Sequence, residues 1–215
     1  MSAFDFSRKT VRRRQRRKIY FIVTEGERTE KNYFRHMKEC IISCSSLAIR
    51  LEVIPCGKKS DPAHLKRYAE SIERCKSGDS SFSNGDEVWI VSDVDGRDKI
   101  LQTGTSPLSF LFKWESGKDY RHVALSNPQF ELWIAMHDDS CNGVKTKQDC
   151  LKKVKKYHPT YTKTEIFDWV DENKVKTAIR NGKAKDSPPC PSEKCPQAGI
   201  TTVYRLVEKI MYSQK

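Results

Sequence analysis

The 215-residue sequence lacks any apolar run approaching the roughly 20 residues that a membrane-crossing helix needs. Its first residues are polar and Arg-rich, without the apolar core of a secretory signal, so the expected compartment is the cytoplasm. No Cys-x-x-Cys pair occurs among the eight cysteines, Cys40, Cys44, Cys56, Cys75, Cys141, Cys150, Cys190 and Cys195. The tight spacing of a zinc ribbon is therefore missing, and reduced thiols are expected. A zinc site made from Cys190, Cys195 and a distant pair is the alternative. No internal repeat is found. Acids are absent from residues 8–18, where Arg8, Lys9, Arg12, Arg13, Arg14, Arg16, Arg17 and Lys18 fall together.

What is present is positive charge, placed unevenly. The net charge is +12, and residues 145–185 hold twelve Lys/Arg against five acids. With the basic arm, that segment accounts for more than the whole excess, so the rest of the chain is mildly acidic. Clustered cations of this kind are the footprint of a polyanion partner, and nucleic acid is the expected one. The competing reading is a solvated helix face plus a polar tail.

The apolar pattern predicts an α/β fold. Ile19–Thr24 is a continuous β-branched run, the signature of a strand buried on both faces, and it ends in Glu25-Gly26-Glu27. Thr29 reads as the N-cap of a helix carrying Tyr33, Phe34, Met37 and Ile41. A short strand over 51–55 and a helix after Ser60-Asp61-Pro62 follow. Val88–Val91 then runs as a buried strand into Ser92-Asp93-Val94-Asp95-Gly96. Leu108 to Trp114 suggests a short helix, residues 121–126 a fourth strand, and 129–137 a helix apolar nearly all round except for Glu131. Three further helices are predicted over 147–157, 164–181 and 201–213. Strands alternating with helices imply a mostly parallel four-stranded sheet flanked by helices, with a C-terminal helical extension. The expected organisation is a basic arm (1–17), an α/β domain (18–140) and a basic helical extension (141–215).

Two strand ends carry the chemistry. Ligand sites in open α/β sheets lie outside the carboxyl ends of the strands, so Glu25, Asp93 and Asp95 are expected on one edge. Oxygen-only ligation by clustered carboxylates favours Mg²⁺ or Mn²⁺ over zinc. Glu131 is a candidate fourth carboxylate or a structural acid. Arg28 and Lys31, beside the first turn, are candidate phosphate contacts together with Arg12, Arg13, Arg14, Arg16 and Arg17 of the arm. Each has a plainer alternative. Glu25 can serve the following helix dipole, the two aspartates can be solvated turn residues, and Asp98 is as readily surface as ligand. Asn127 is an N-cap or a substrate contact, and His122 is read as packed or partnered.

Strand-Glu-Gly followed by strand-Asp-x-Asp resembles the Toprim domain shared by primases, type II and IA topoisomerases and the overcoming-lysogenization-defect nucleases. More narrowly, the chain resembles the RloB-like family of bacterial defence-associated proteins. The resemblance rests on the basic arm, Ile19–Val23, Glu25-Gly26-Glu27-Arg28-Thr29-Glu30-Lys31-Asn32-Tyr33-Phe34, Asp93-Val94-Asp95, Asn127-Pro128-Gln129-Phe130-Glu131-Leu132-Trp133 and Thr202–Glu208, in that order. It implies a Toprim-like fold using Mg²⁺ (or Mn²⁺) in phosphodiester chemistry. Glu25 would be the general acid/base or a ligand, and Asp93 and Asp95 would hold the metal. It further implies an ATPase partner of the ABC/AAA type and a role in anti-phage defence through abortive infection, with a homo-oligomer as a further expectation. No tyrosine matches a topoisomerase nucleophile, so hydrolysis is expected. The alternatives are a non-catalytic Toprim-like module docking on the ATPase or on nucleic acid, and nucleotidyl transfer.

Overall fold

The computed structural model describes residues 17–43, 48–57, 61–76, 82, 85–99 and 106–213. Four parallel strands form the sheet: β1 (Lys18–Thr24), β2 (Ile49–Pro55), β3 (Glu87–Asp93) and β4 (Arg121–Asn127). A two-residue β5 (Ile200–Thr201) adds to β4 in the antiparallel sense, completing the order β2-β1-β3-β4-β5. The mostly parallel α/β sheet is the expected one. The fifth strand is the addition, and two residues are too few to show a periodicity.

The apolar runs sort by strand alternation onto two faces. Tyr20, Ile22, Trp89 and Val91 point into one core. There they meet α1 (Thr29–His36) with its π-helical continuation Met37–Ile42, α4 (Glu131–Ala135), α5 (Lys147–Tyr157), α6 (Glu172–Lys185) and α7 (Val203–Tyr212). Phe21, Val23, Val88 and Ile90 point the other way, against α2 (Pro62–Lys76) and α3 (Ser109–Glu115). Helices on both faces explain why β1 and β3 read as unbroken apolar segments.

Local chemistry moves three boundaries. Thr29 is the first helical residue rather than the cap, and its Oγ1 donates to the Lys163 carbonyl at 3.4 Å. The helix expected over 164–181 starts only at Glu172, because Asp171 caps it by accepting from the Lys174 backbone N–H at 2.8 Å. The preceding segment instead lies over α1, where Asn32 donates to the Glu165 carbonyl at 3.2 Å. The helix expected over 129–137 is regular only through Glu131–Ala135. Asn127 caps nothing; its Nδ2 donates to the Pro196 carbonyl at 2.8 Å and ties β4 to the loop before β5. Ser60 lies outside the described residues.

β1 leads to β2 on one side, and β3 pairs with β1 on the other. The connections therefore diverge at the carboxyl ends of β1 and β3, which is where such a sheet opens a crevice. The register fixes what enters it. Thr24 lies opposite Val91, and the Glu25 backbone N–H donates to the Val91 carbonyl at 3.0 Å. The Glu25 and Asp93 side chains thus leave the sheet side by side.

Candidate functional site

A cavity of about 330 Å³ opens at this edge, lined by Glu25, Gly26, Glu27, Arg28, Thr29, Glu30, Gly57, Asp93, Phe130, Glu131 and Lys163. It draws on the ends of β1 and β3, the start of α1, the start of α4 and the loop after α5. Residues separated by more than a hundred positions in the chain converge on it.

Glu25 is the best-held acid. Its Oε2 accepts from the Ser92 hydroxyl at 2.6 Å and the Asp93 backbone N–H at 3.0 Å, while its Oε1 takes an ion pair from Arg97 Nη2 at 2.7 Å. Asp93 is the opposite case. Its surroundings are Glu30, Glu25 and Glu131, and burial followed by those three carboxylates pushes its acid well above the ordinary aspartate range. The Phe130 backbone N–H favours the carboxylate, yet Oδ1 is buried with no hydrogen-bond partner.

Glu30 is a site residue that the sequence reading did not single out. It is buried on the first turn of α1, and burial, with Glu131 and Glu25 adding, raises it to about 7. Its carboxylate lies against Gly26, at a spot that any Cβ on residue 26 would occupy. A side chain at residue 26 would displace the Glu30 carboxylate, so the glycine serves this close approach and not a special backbone conformation. The signal in the sequence was the Gly-x-x-x-Glu spacing, one helical turn, directly after an apolar strand. Glu131 is buried in α4, and its Oε1 accepts from the Tyr161 hydroxyl at 3.5 Å. Tyr161 itself is raised by burial and by Glu131. The basic extension therefore closes the pocket, through Tyr161 beneath it and Lys163 on its wall.

Asp95 does not join the other three. It is exposed, in a left-handed backbone conformation (φ 44°), and its carboxylate pairs with Lys147. Asp98 is exposed on the same turn. Arg28 is on the pocket wall, whereas Lys31 is half-buried on α1 and is no part of that wall. Arg17 is exposed beside β1; Arg12, Arg13, Arg14 and Arg16 lie outside the described residues. His122 is packed, its ring 4.4 Å from that of Trp89. None of the seven cysteines among the described residues is in a disulfide.

Of Glu25, Glu30, Asp93 and Glu131, Glu25 is the one with an ion pair among the described residues, to Arg97, and protons or a bound cation would relieve the rest. Among the described residues, no group of three or more His, Cys, Asp or Glu side chains is placed so that it could hold a metal ion as it stands. The donor set nonetheless suits a hard divalent ion: it is all oxygen, and one buried oxygen lacks a partner. Among the described residues no helix is long and apolar enough to cross a membrane. The model of the RloB-like protein family matches residues 20–210, most of the chain. No curated protein and no solved structure matches it.

Proposed function

The chain belongs to the RloB-like protein family, and on that premise we propose that it is a divalent-metal-dependent nuclease hydrolysing phosphodiesters of DNA or RNA. The observation that carries the reading is Asp93, half-buried, with a buried and unpartnered Oδ1 among Glu25, Glu30 and Glu131 at the sheet's switch point. Asp93, with Glu131 and Glu30 beside it, would hold Mg²⁺ or Mn²⁺. The bound ion would supply Lewis acidity at the phosphate. Asp95, a ligand by resemblance, reaches such an ion only by giving up Lys147.

The chain's own groups account for the remaining requirements. Glu25, fixed by Ser92 and the Asp93 N–H, is positioned to take a proton from an attacking water. Arg28 and Lys163 on the pocket wall, with Lys31 nearby, supply cations for the phosphate oxygens. The basic arm, with Arg12, Arg13, Arg14, Arg16 and Arg17, and the lysine-rich segment 145–185 would draw the polyanion toward an otherwise acidic cleft. By the family resemblance the enzyme would work in the cytoplasm as the effector of an anti-phage system beside an ABC/AAA-type ATPase.

The reading is tested by incubating purified protein with Mg²⁺ or Mn²⁺ and labelled DNA and tRNA, with and without the ATPase. Cleavage that disappears in Asp93→Ala supports it; no cleavage in any mixture, or equal cleavage by the variant, sinks it. A second reading is favoured by one observation, the capture of Glu25 by Arg97 in a site where no three of the described His, Cys, Asp or Glu side chains are placed to hold a metal ion. On that reading the pocket is the regulatory face of a non-catalytic module. Nucleic-acid binding without turnover under every metal condition distinguishes it.

A further inference from the structure

Arg97 reaches the site from the turn after β3, and its own backbone is pinned. The Arg97 N–H donates to the Val94 carbonyl at 2.7 Å, and the Ser106 hydroxyl donates to the Arg97 carbonyl at 2.6 Å. The side chain is three-quarters covered. Nη2 is spent on Glu25, but Nη1 is buried without a partner among the described residues. Arg97 is not on the cavity wall, but its ion pair with Glu25 ties it to the edge that carries Asp93, so two orphaned polar atoms of opposite character, Arg97 Nη1 and Asp93 Oδ1, belong to one edge. A buried polar atom left unsatisfied costs about 1–3 kcal/mol, so a pair of them at one edge points to a ligand presenting both a cation and an anion.

We propose that Arg97 is a positioning residue that stands in for a divalent cation at Glu25 and presents Nη1 to a phosphate oxygen of the substrate. The inference rests on the metal-dependent reading above and deepens it. A guanidinium is suited to both tasks, since its charge is permanent and its planar fork serves two acceptors at once. With no ion bound, Arg97 is the counter-charge nearest Glu25. When a divalent ion shares the site, the same positive charge opposes it, while the free donor gains an anionic acceptor.

The test begins with the metal alone. Mn²⁺ binding is measured by equilibrium dialysis on the full chain and on Arg97→Gln and Arg97→Lys, with circular dichroism confirming equal folding. Removing a like charge about 5 Å from a divalent ion strengthens its binding by roughly tenfold even at a water-like dielectric. Arg97→Gln is therefore expected to bind Mn²⁺ about tenfold tighter than the wild type, and Arg97→Lys to restore wild-type affinity. Inorganic phosphate, titrated into the Mn²⁺-saturated proteins, is expected to bind the wild type and to weaken about tenfold in Arg97→Gln. Equal or weaker Mn²⁺ binding by a folded Arg97→Gln protein, or phosphate binding indifferent to the substitution, overturns the inference and leaves the nuclease reading standing. No Mn²⁺ binding by any of the three proteins overturns both.

Discussion

Glu87 and Asp93 occupy the two ends of the same strand, and their surroundings are reversed. Glu87 accepts from Lys18 Nζ at 2.7 Å, from the Trp89 indole N–H at 2.8 Å and from Lys209 Nζ at 3.2 Å. Burial alone would raise its acid, but these partners hold it below the ordinary range. His122, 3.4 Å from the same carboxylate, is pushed down to about 4 by burial and then by Lys209, so it stays neutral beside it. Asp93 has acids for neighbours and an oxygen with no partner. The amino end of β3 is a completed polar network that joins α7 to the sheet. The carboxyl end is an incomplete one, and incompleteness at a sheet's switch point is what a ligand site looks like before its ligand arrives.

Substituting the two acids should separate the roles. Asp93→Asn is expected to cut metal-dependent cleavage by about 10³-fold or more. The same change should raise thermal stability, because it removes a buried charge that its neighbours oppose. Glu87→Gln should do the reverse. It leaves Lys18 and Lys209 facing a neutral amide, and because both lysines keep about a third or more of their surface in water, the loss should be about 1–2 kcal/mol in a denaturant titration. Cleavage per folded molecule should be unchanged. If Asp93→Asn destabilises and Glu87→Gln does not, the contrast between the ends is wrong.

The pH dependence sharpens the same contrast with effects of a few kcal/mol at most. Glu30 rises from 4.5 to about 7 in the folded chain. Between those values the folded protein binds the extra proton, so this group's contribution is fully present below 4.5 and is lost as pH rises through about 7. Glu87 is depressed, so its contribution holds above its ordinary 4.5 and is lost as pH falls below it. Stability should therefore decline on the neutral side in the wild type and less steeply in Glu30→Gln, where Asp93 and Glu115 are still raised, and decline on the acid side in the wild type but less in Glu87→Gln. Chemical denaturation across pH 4–8 reads both slopes. Added Mn²⁺ should reduce the neutral-side decline by replacing the proton at the pocket.

The two ends also differ in how far sequence reveals them. β1 and β3 were legible because a strand covered on both faces must be apolar at every position, and the acids that end them were legible by contrast with those runs. Glu25 and Asp93 line the pocket together with Glu131, and Asp95 does not. Glu30 was hidden by its position among polar residues at the start of a helix, where an acid is unremarkable. Lys163 and Tyr161 come from a segment whose path depends on where α6 begins, and the Asp171 cap that delays it is a single side chain. Arg97 is a matter of reach, since a long side chain from a turn obeys no periodicity. Asp95 failed to join for a related reason. A strand alternates its side chains, but Asp95 lies past the last paired residue of β3, in a left-handed turn that sends it outward.

That outward turn gives the smallest effect worth measuring. Two cations meet carboxylates at the site's border, Arg97 at Glu25 and Lys147 at Asp95, and they differ in cover. The Arg97 and Glu25 side chains are 25% and 12% exposed, against 48% and 43% for Lys147 and Asp95. An exposed pair is screened by water and salt and contributes about 0–1 kcal/mol, whereas a covered one is not so diluted. Lys147→Met should therefore shift Mn²⁺ affinity by no more than about threefold, and salt should erase even that. Arg97→Gln should retain most of its effect at the same ionic strength. Equal shifts from both variants would mean that an ion draws on Asp95 as strongly as on Glu25, and the site's centre would then move outward along the turn after β3.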